Sequence, residues 1–160
     1  MDNVQDVHWV LVQGVSGTTA GSPISDFNSG GTITDTVCMS KYNTAYFQIF
    51  WGVGTTGTTT ITAIPIDSVG GSTASAIPFL SKKCSSTDTN TAWAAASSLL
   101  TTAGSHQMTI VKVCAADLPI GYEYVYLNLA ETASSALIGG CIVMMADPRY
   151  AQDTTETVVT

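Results

Sequence analysis

The sequence predicts an all-β protein, a two-sheet β-sandwich or jelly-roll-like single domain with extended termini. Three observations lead there. The 160 residues include 24 Thr, 16 Ser and 14 Gly; Thr is β-branched and suits a pleated, half-buried surface, while Gly and Ser punctuate turns. Hydrophobic residues make up 45%, enough for a core at this length, and charged residues only 11%, less than half the usual share of about 25%. Apolar residues recur at every second position through most of the chain and at helical spacing almost nowhere. Short strands, about eight or nine of them at intervals of about 10–15 residues, fit two packed sheets.

The elements follow in order. Val7, Trp9 and Leu11 alternate with His8 as a first strand, and a Gly/Ser/Thr-rich stretch from Gly14 to Gly31, with Pro23, reads as a long loop or arm. Ile33 to Met39 is a short strand. Ala45, Phe47, Ile49, Trp51 and Val53 share one face of the next, with Tyr46 and Gln48 on the other. A glycine-threonine loop leads to the strand Thr58–Ile66. The turn-rich Ser68 to Ser75, the strand Ile77 to Cys84 and the polar loop Ser85 to Asn90 come next. Thr91 to Thr102 carries an Ala-Trp-Ala-Ala-Ala run suited to a helix, but Ser and Thr crowd both ends and no clear cap is present, so strand is favoured. His106 to Ala115 is a strand with Thr109, Val111 and Val113 on one side, and Ala115 to Pro119 a tight turn or single helical turn. Tyr122 to Ala130 alternates cleanly. Ala136 to Ala146 is apolar on both faces, as a central strand should be, with Gly139 and Gly140 marking a bulge or bend. Residues 1–31 are then an N-terminal strand plus arm, 32–151 the sandwich, and 152–160 a polar tail that is either floppy or an arm ordered by a neighbour.

Charge excludes several functions. Five Lys and Arg against twelve Asp and Glu give a net charge of −7, which phosphate would repel, and the basic residues form no long stripe; no nucleic-acid partner is expected. The longest apolar run is about half the roughly 20 residues of a spanning helix, so no membrane partner is expected either. Asp2 and Asp6 stand where a signal peptide would carry lysines, and there is no Asn-x-Ser/Thr acceptor, so use without secretion is expected. Cys38, Cys84, Cys114 and Cys141 are widely spaced with no C-x-x-C pair and no nearby histidine at metal-ligand spacing. Two disulfides are arithmetically allowed; free, mostly buried thiols and no metal are expected.

Motifs for chemistry are weak. Gly52-Val53-Gly54-Thr55-Thr56-Gly57 fits G-x-G-x-x-G after a strand, but the run that follows disfavours the helix a pyrophosphate site requires, and no acid lies at the needed distance; a flexible hairpin loop is the better reading. His8 and His106 fall near strand ends, Gly14-Val15-Ser16-Gly17-Thr18 lacks the last glycine of a nucleophile elbow, and no carboxylate pair stands out. No catalytic residue and no cofactor is assigned. Surfaces say more. Val125, Leu127 and Leu129 share one face of their strand, leaving Tyr122, Tyr124, Tyr126 and Asn128 on the other; Tyr is half apolar and half wet, as interfaces favour, although both faces of the strand can equally be covered within one sandwich. Arg149, the only arginine, stands between Pro148 and Tyr150 and is either a partner-binding anchor or one end of an internal salt bridge to a nearby Asp. The interface candidates are therefore Tyr122, Tyr124, Tyr126, Arg149 and Tyr150.

Three segments carry a family resemblance: Lys41-Tyr42-Asn43 before the Phe47/Ile49 strand, Ala115-Ala116-Asp117-Leu118 before the Tyr-rich strand, and Ala146-Asp147-Pro148-Arg149-Tyr150-Ala151. Together, from about Lys41 to Ala151, the chain resembles the small head decoration, or cement, proteins of tailed bacteriophages. It departs from them in the alanine-rich Ala92–Leu100 and in its four cysteines. The resemblance implies a β-sandwich bound as an oligomer, often a trimer, on the outer surface of the capsid. Its partner would be the major capsid protein and its location the virion, after synthesis in the host cytoplasm. Low charge density fits, since few charges must be desolvated on a lattice where many weak contacts add. Two other classes share the composition. A tail-tube or fibre component would form rings or filaments, and a carbohydrate-binding module would need an exposed aromatic platform from Trp9, Trp51 or Trp93, of which alternation sends Trp51 to the core.

Overall fold

A computed structural model describes residues 7–12, 25–26, 32–52, 57–84, 90–101, 107–133, 135–149 and 158–159. The strands are β1 (His8–Leu11), β2 (Ser25–Asp26), β3 (Thr32–Ile33), β4 (Thr36–Cys38), β5 (Tyr42–Trp51), β6 (Thr58–Ile66), β7 (Phe79–Cys84), β8 (Ala94–Ala96), β9 (Leu99–Leu100), β10 (Gln107–Cys114), β11 (Tyr124–Ala133), β12 (Ile138–Pro148) and β13 (Val158–Val159). A single 3₁₀ turn, Ala115–Asp117, follows β10. The larger sheet has the order β1-β12-β5-β10-β7-β8, with β2 also on β12; the smaller has β13-β4-β11-β6-β9, with β3 also on β11. All pairings are antiparallel.

The order is that of a jelly roll. Taking β1, β4, β5, β6, β9, β10, β11 and β12 as the principal strands, the first pairs with the last, β4 with β11, β5 with β10, and β6 with β9. This is a long two-stranded ribbon wound so that successive strands switch layers, and β7 and β8 widen one edge of the larger sheet. The glycine-rich loop after β5 is therefore a crossing between layers and not a hairpin, because its flanking strands belong to different sheets. A strand follows it, as its threonines require.

The core forms between the layers from every second residue. Phe47, Ile49, Val111, Val113 and Val143 from the larger sheet meet Ile61, Ala63, Val125, Leu127 and Leu129 from the smaller, all at 0% exposure. The alternation read from sequence in β5, β10 and β11 holds at each of these positions. Polar groups in the core are paired. The Trp51 indole N–H donates to Thr109 Oγ1 at 2.9 Å, and the backbone N–H of Thr59 donates to Thr101 Oγ1 at 2.9 Å.

Several expectations are revised. In β1 it is Val10 and Val12 that pack inward, Val12 fully buried, while Trp9 and Leu11 stand exposed. Ile33 to Met39 is two short strands, because the Thr34 hydroxyl accepts from Leu127 N–H at 2.9 Å and breaks the ladder. Within Thr91 to Thr102 the described residues, 91–101, form strand and no helix, as favoured, but split into β8 and β9 on opposite sheets. Gly139 and Gly140 form no bulge: they pair in continuous register with Trp51 and Phe50. The register shift falls between β6 and β11, at Glu131/Ala133. Tyr122 precedes β11 and is not on the strand. All four cysteines are free, but only Cys141 is buried and the other three are half-buried. Burial raises the Cys141 thiol far above its ordinary value.

Candidate functional site

At one end of the sandwich the β4–β5 connection, the 3₁₀ turn and the end of β12 converge on a cleft of about 580 Å³. Met39, Ser40 and Lys41 line one side; Ala115, Leu118 and Pro119 another; Tyr122, Glu123 and Arg149 complete it. Backbone bonds hold the walls: Met39 N–H donates to Glu123 O at 2.7 Å and Arg149 N–H to Lys41 O at 2.8 Å. Tyr122 N–H closes on Pro119 O at 3.1 Å, with Gly121 at φ 88°. That is the left-handed third position of a type II turn, where glycine meets no steric penalty.

The three segments that carry the family resemblance meet here. Ala146 pairs with Thr44 and Pro148 with Tyr42, and the 115–118 turn lies across the cleft. Arg149 is held by Asn43, whose Oδ1 accepts from Nε at 3.0 Å, so its partner among the described residues is an amide and not the aspartate allowed for from sequence. The aspartate nearby in sequence, Asp147, is occupied otherwise: Oδ2 accepts from Thr44 Oγ1 at 2.9 Å while its backbone sits at φ 57°. A left-handed non-glycine residue is held by its surroundings, and such positions cluster at functional sites. The Arg149 side chain is exposed, and with Nε engaged its terminal nitrogens still carry further N–H donors.

The predicted interface residues do not form one surface. Tyr122 and Arg149 share the end cleft. Tyr124 and Tyr126 stand half-buried on the outward face of the smaller sheet, opposite Ile66 and Ile64 of β6. Tyr150 lies outside the described residues. The neighbouring Cys38 sulfur and partial burial, with Glu123 a smaller influence, raise the Tyr124 hydroxyl above its ordinary 10.0; burial raises that of Tyr126.

A larger surface escaped the sequence reading. On the outward face of the larger sheet, Trp9 pairs with Met144, Met144 with Tyr46, Tyr46 with Lys112, and Lys112 with Leu80. Beside that row the Trp93 ring lies 6.4 Å from Tyr46. The Lys82 ammonium stands 5.9 Å from the Trp93 centroid and the Lys112 ammonium 5.6 Å from that of Tyr46. The available signal was the apolar character of residues 136–146 on both sides. In a two-layer fold the second side of a central strand has no layer to cover it. Among the described residues no group of three or more His, Cys, Asp and Glu is placed to hold a metal ion.

Comparison by sequence finds no matching family model and no matching curated protein. Two solved structures are similar in their chain trace. The SPBc2 prophage-derived protein YomS is 13% identical with a TM-score of 0.43, over 86% of this chain and 94% of that one. The CBM22-1–GH10 modules of the N-terminal endo-1,4-β-D-xylanase 10B of Clostridium thermocellum, complexed with xylohexaose, are 12% identical with a TM-score of 0.36; the match covers 86% of this chain and 29% of that one.

Proposed function

We propose that this chain is a structural virion protein that decorates and stabilises the outer surface of a tailed-phage capsid, with no catalytic role. The observation that supports this reading is the meeting of Lys41–Asn43, Ala115–Leu118 and Ala146–Arg149 at one cleft. These segments are far apart in sequence and together carry the resemblance to decoration proteins. In this reading the end cleft seats a segment of the major capsid protein, Arg149 supplies the anchoring hydrogen bonds, and the protein acts as an oligomer, with a trimer expected. Binding that favours the assembled head raises the head's resistance to heat and internal pressure by mass action.

The test is to add purified protein to heads that lack it and to measure occupancy and melting. Saturable binding at micromolar concentration with a raised melting temperature is expected, and Arg149→Ala should weaken it by roughly 1–3 kcal/mol if the guanidinium is desolvated and hydrogen-bonded in the contact. Few charges take part, so affinity should fall only modestly between low and physiological salt. Failure to bind heads, with assembly into tubes instead, would point to a tail component.

A further inference from the structure

The outward face of the larger sheet is built unlike a solvated sheet face. Antiparallel sheets with one wet side normally alternate apolar-in with polar-out. Here the outward positions of β12 carry Ile138, Ile142 and Met144, and Gln48 is flanked by Ile142 on one side and Ile110 on the other. Of the large apolar side chains exposed among the described residues, Trp9, Leu11, Phe50, Leu80, Trp93 and Ile138 lie on this side. The other sheet face has only Ile33 and Leu100.

We propose that this face is where copies of the chain bind one another. Size is the first argument. With strands about 4.8 Å apart and alternate residues about 6.8 Å apart, three rows over five strands cover on the order of 500 Å² in projection. That is near the upper end of what a monomer leaves exposed and, with side-chain relief and a rim, approaches the roughly 800 Å² per partner of a standard interface.

Charge supplies the second. The chain is −7 overall, yet the outward positions of β1, β12, β5, β10 and β7 hold no carboxylate, only Lys82 and Lys112. Both ammoniums lie over aromatic rings of the same face. Asp67, Asp117, Glu123 and Glu131 lie on turns or on the smaller sheet, and the two acids on the larger sheet sit at its margins and are already engaged, Asp26 of β2 with the Leu137 N–H and Asp147 of β12 with the Thr44 hydroxyl. A neighbouring copy thus brings carboxylates to the two lysines of this face, and head-to-tail contacts of that kind form a ring where the rotation between copies closes.

The inference does not depend on binding to heads. Its test is the solution mass of the full chain by sedimentation between about 1 and 100 µM, the range in which interfaces of this size assemble. Assembly above one copy is expected, with three favoured. Leu11→Glu, on the edge strand, and Ile142→Glu, at the centre, should each raise the midpoint of dissociation at least about 100-fold by placing an unpaired carboxylate in the contact, with the β circular dichroism retained. Tyr126→Ser, on the opposite sheet, should leave the mass unchanged. A wild-type monomer at 100 µM, an oligomer indifferent to a folded Leu11→Glu variant, or one dissolved by Tyr126→Ser would each overturn the proposal.

Discussion

Outward positions on β6 read Thr60, Thr62, Ile64, and opposite them on β11 stand Ala130, Asn128 and Tyr126; outward on β12 and β5 of the other sheet, Gly140, Ile142 and Met144 oppose Phe50, Gln48 and Tyr46. The inner faces of the two sheets are alike in kind, mainly buried aliphatic and aromatic side chains with a few paired hydroxyls. The outer faces are not. Hydroxyls on the smaller sheet engage one another at the surface, as in the 2.9 Å contact of Thr60 with Thr132, and need nothing to cover them. The larger sheet has two apolar faces and only one of them meets a layer. Under the proposed assembly, fold stability and association are separable, the first residing between the sheets and the second outside one of them.

Substitutions should divide along that line. Phe47→Ala, between the sheets, should lose about 3–5 kcal/mol in urea denaturation through lost transfer energy and a cavity. Ile142→Ala, on the outward side of the neighbouring strand, should lose less than about 1 kcal/mol when measured at concentrations where the chain is monomeric. If the two costs were equal, the outward face would already be covered within one chain. Thr109→Val should cost about 1–3 kcal/mol, because it leaves the Trp51 indole N–H buried without its acceptor.

A pH series sharpens the same contrast. The native state holds the Cys141 proton well past the ordinary value of 9.0 because the thiol is buried, whereas the unfolded chain releases it there. Above that pH the unfolded state binds fewer protons than the native one, so stability is intact below about pH 9 and falls as pH rises, by up to about 1.4 kcal/mol per unit. Cys141→Ala should remove that part of the slope. At the end cleft, Asp147→Ala should cost about 1–2 kcal/mol, from the lost Thr44 bond and the poorer tolerance of Ala for φ 57°. Asp147→Asn keeps an acceptor and tolerates that backbone, so it should be nearly neutral. Tyr126→Ser should have the smallest effect, under about 1 kcal/mol for a half-buried outward residue.

Legibility in the sequence followed the periodicity. Where one face was apolar and the other polar, as at Val125-Tyr126-Leu127, alternation alone assigned core and surface. Where both faces were apolar it failed: around β1 the alternation of Trp9 and Leu11 does not say that Val10 and Val12 are the inward side, and in β12 the doubled pattern reads as full burial. Nothing local distinguishes an interior layer from an uncovered one. The layer order was equally out of reach, since the β5–β6 connection and the split between Ala96 and Leu99 depend on which sheet each strand joins. Most residues of the end cleft stand in segments quoted separately, and only the β5–β12 register brings Asn43 to Arg149. The Asn43 bond and the strained Asp147 have no sequence signature.

Hydroxyl-radical footprinting of the assembled wild type against the folded Leu11→Glu variant reads both outward faces at once. Trp9, Met108 and Met144 should oxidise several-fold more slowly in the wild type, with Tyr124 and Tyr126 modified equally in both. Equal oxidation of the three larger-sheet residues in the two proteins, or protection of Tyr124 and Tyr126 in the wild type, would contradict the assignment of assembly to the larger sheet.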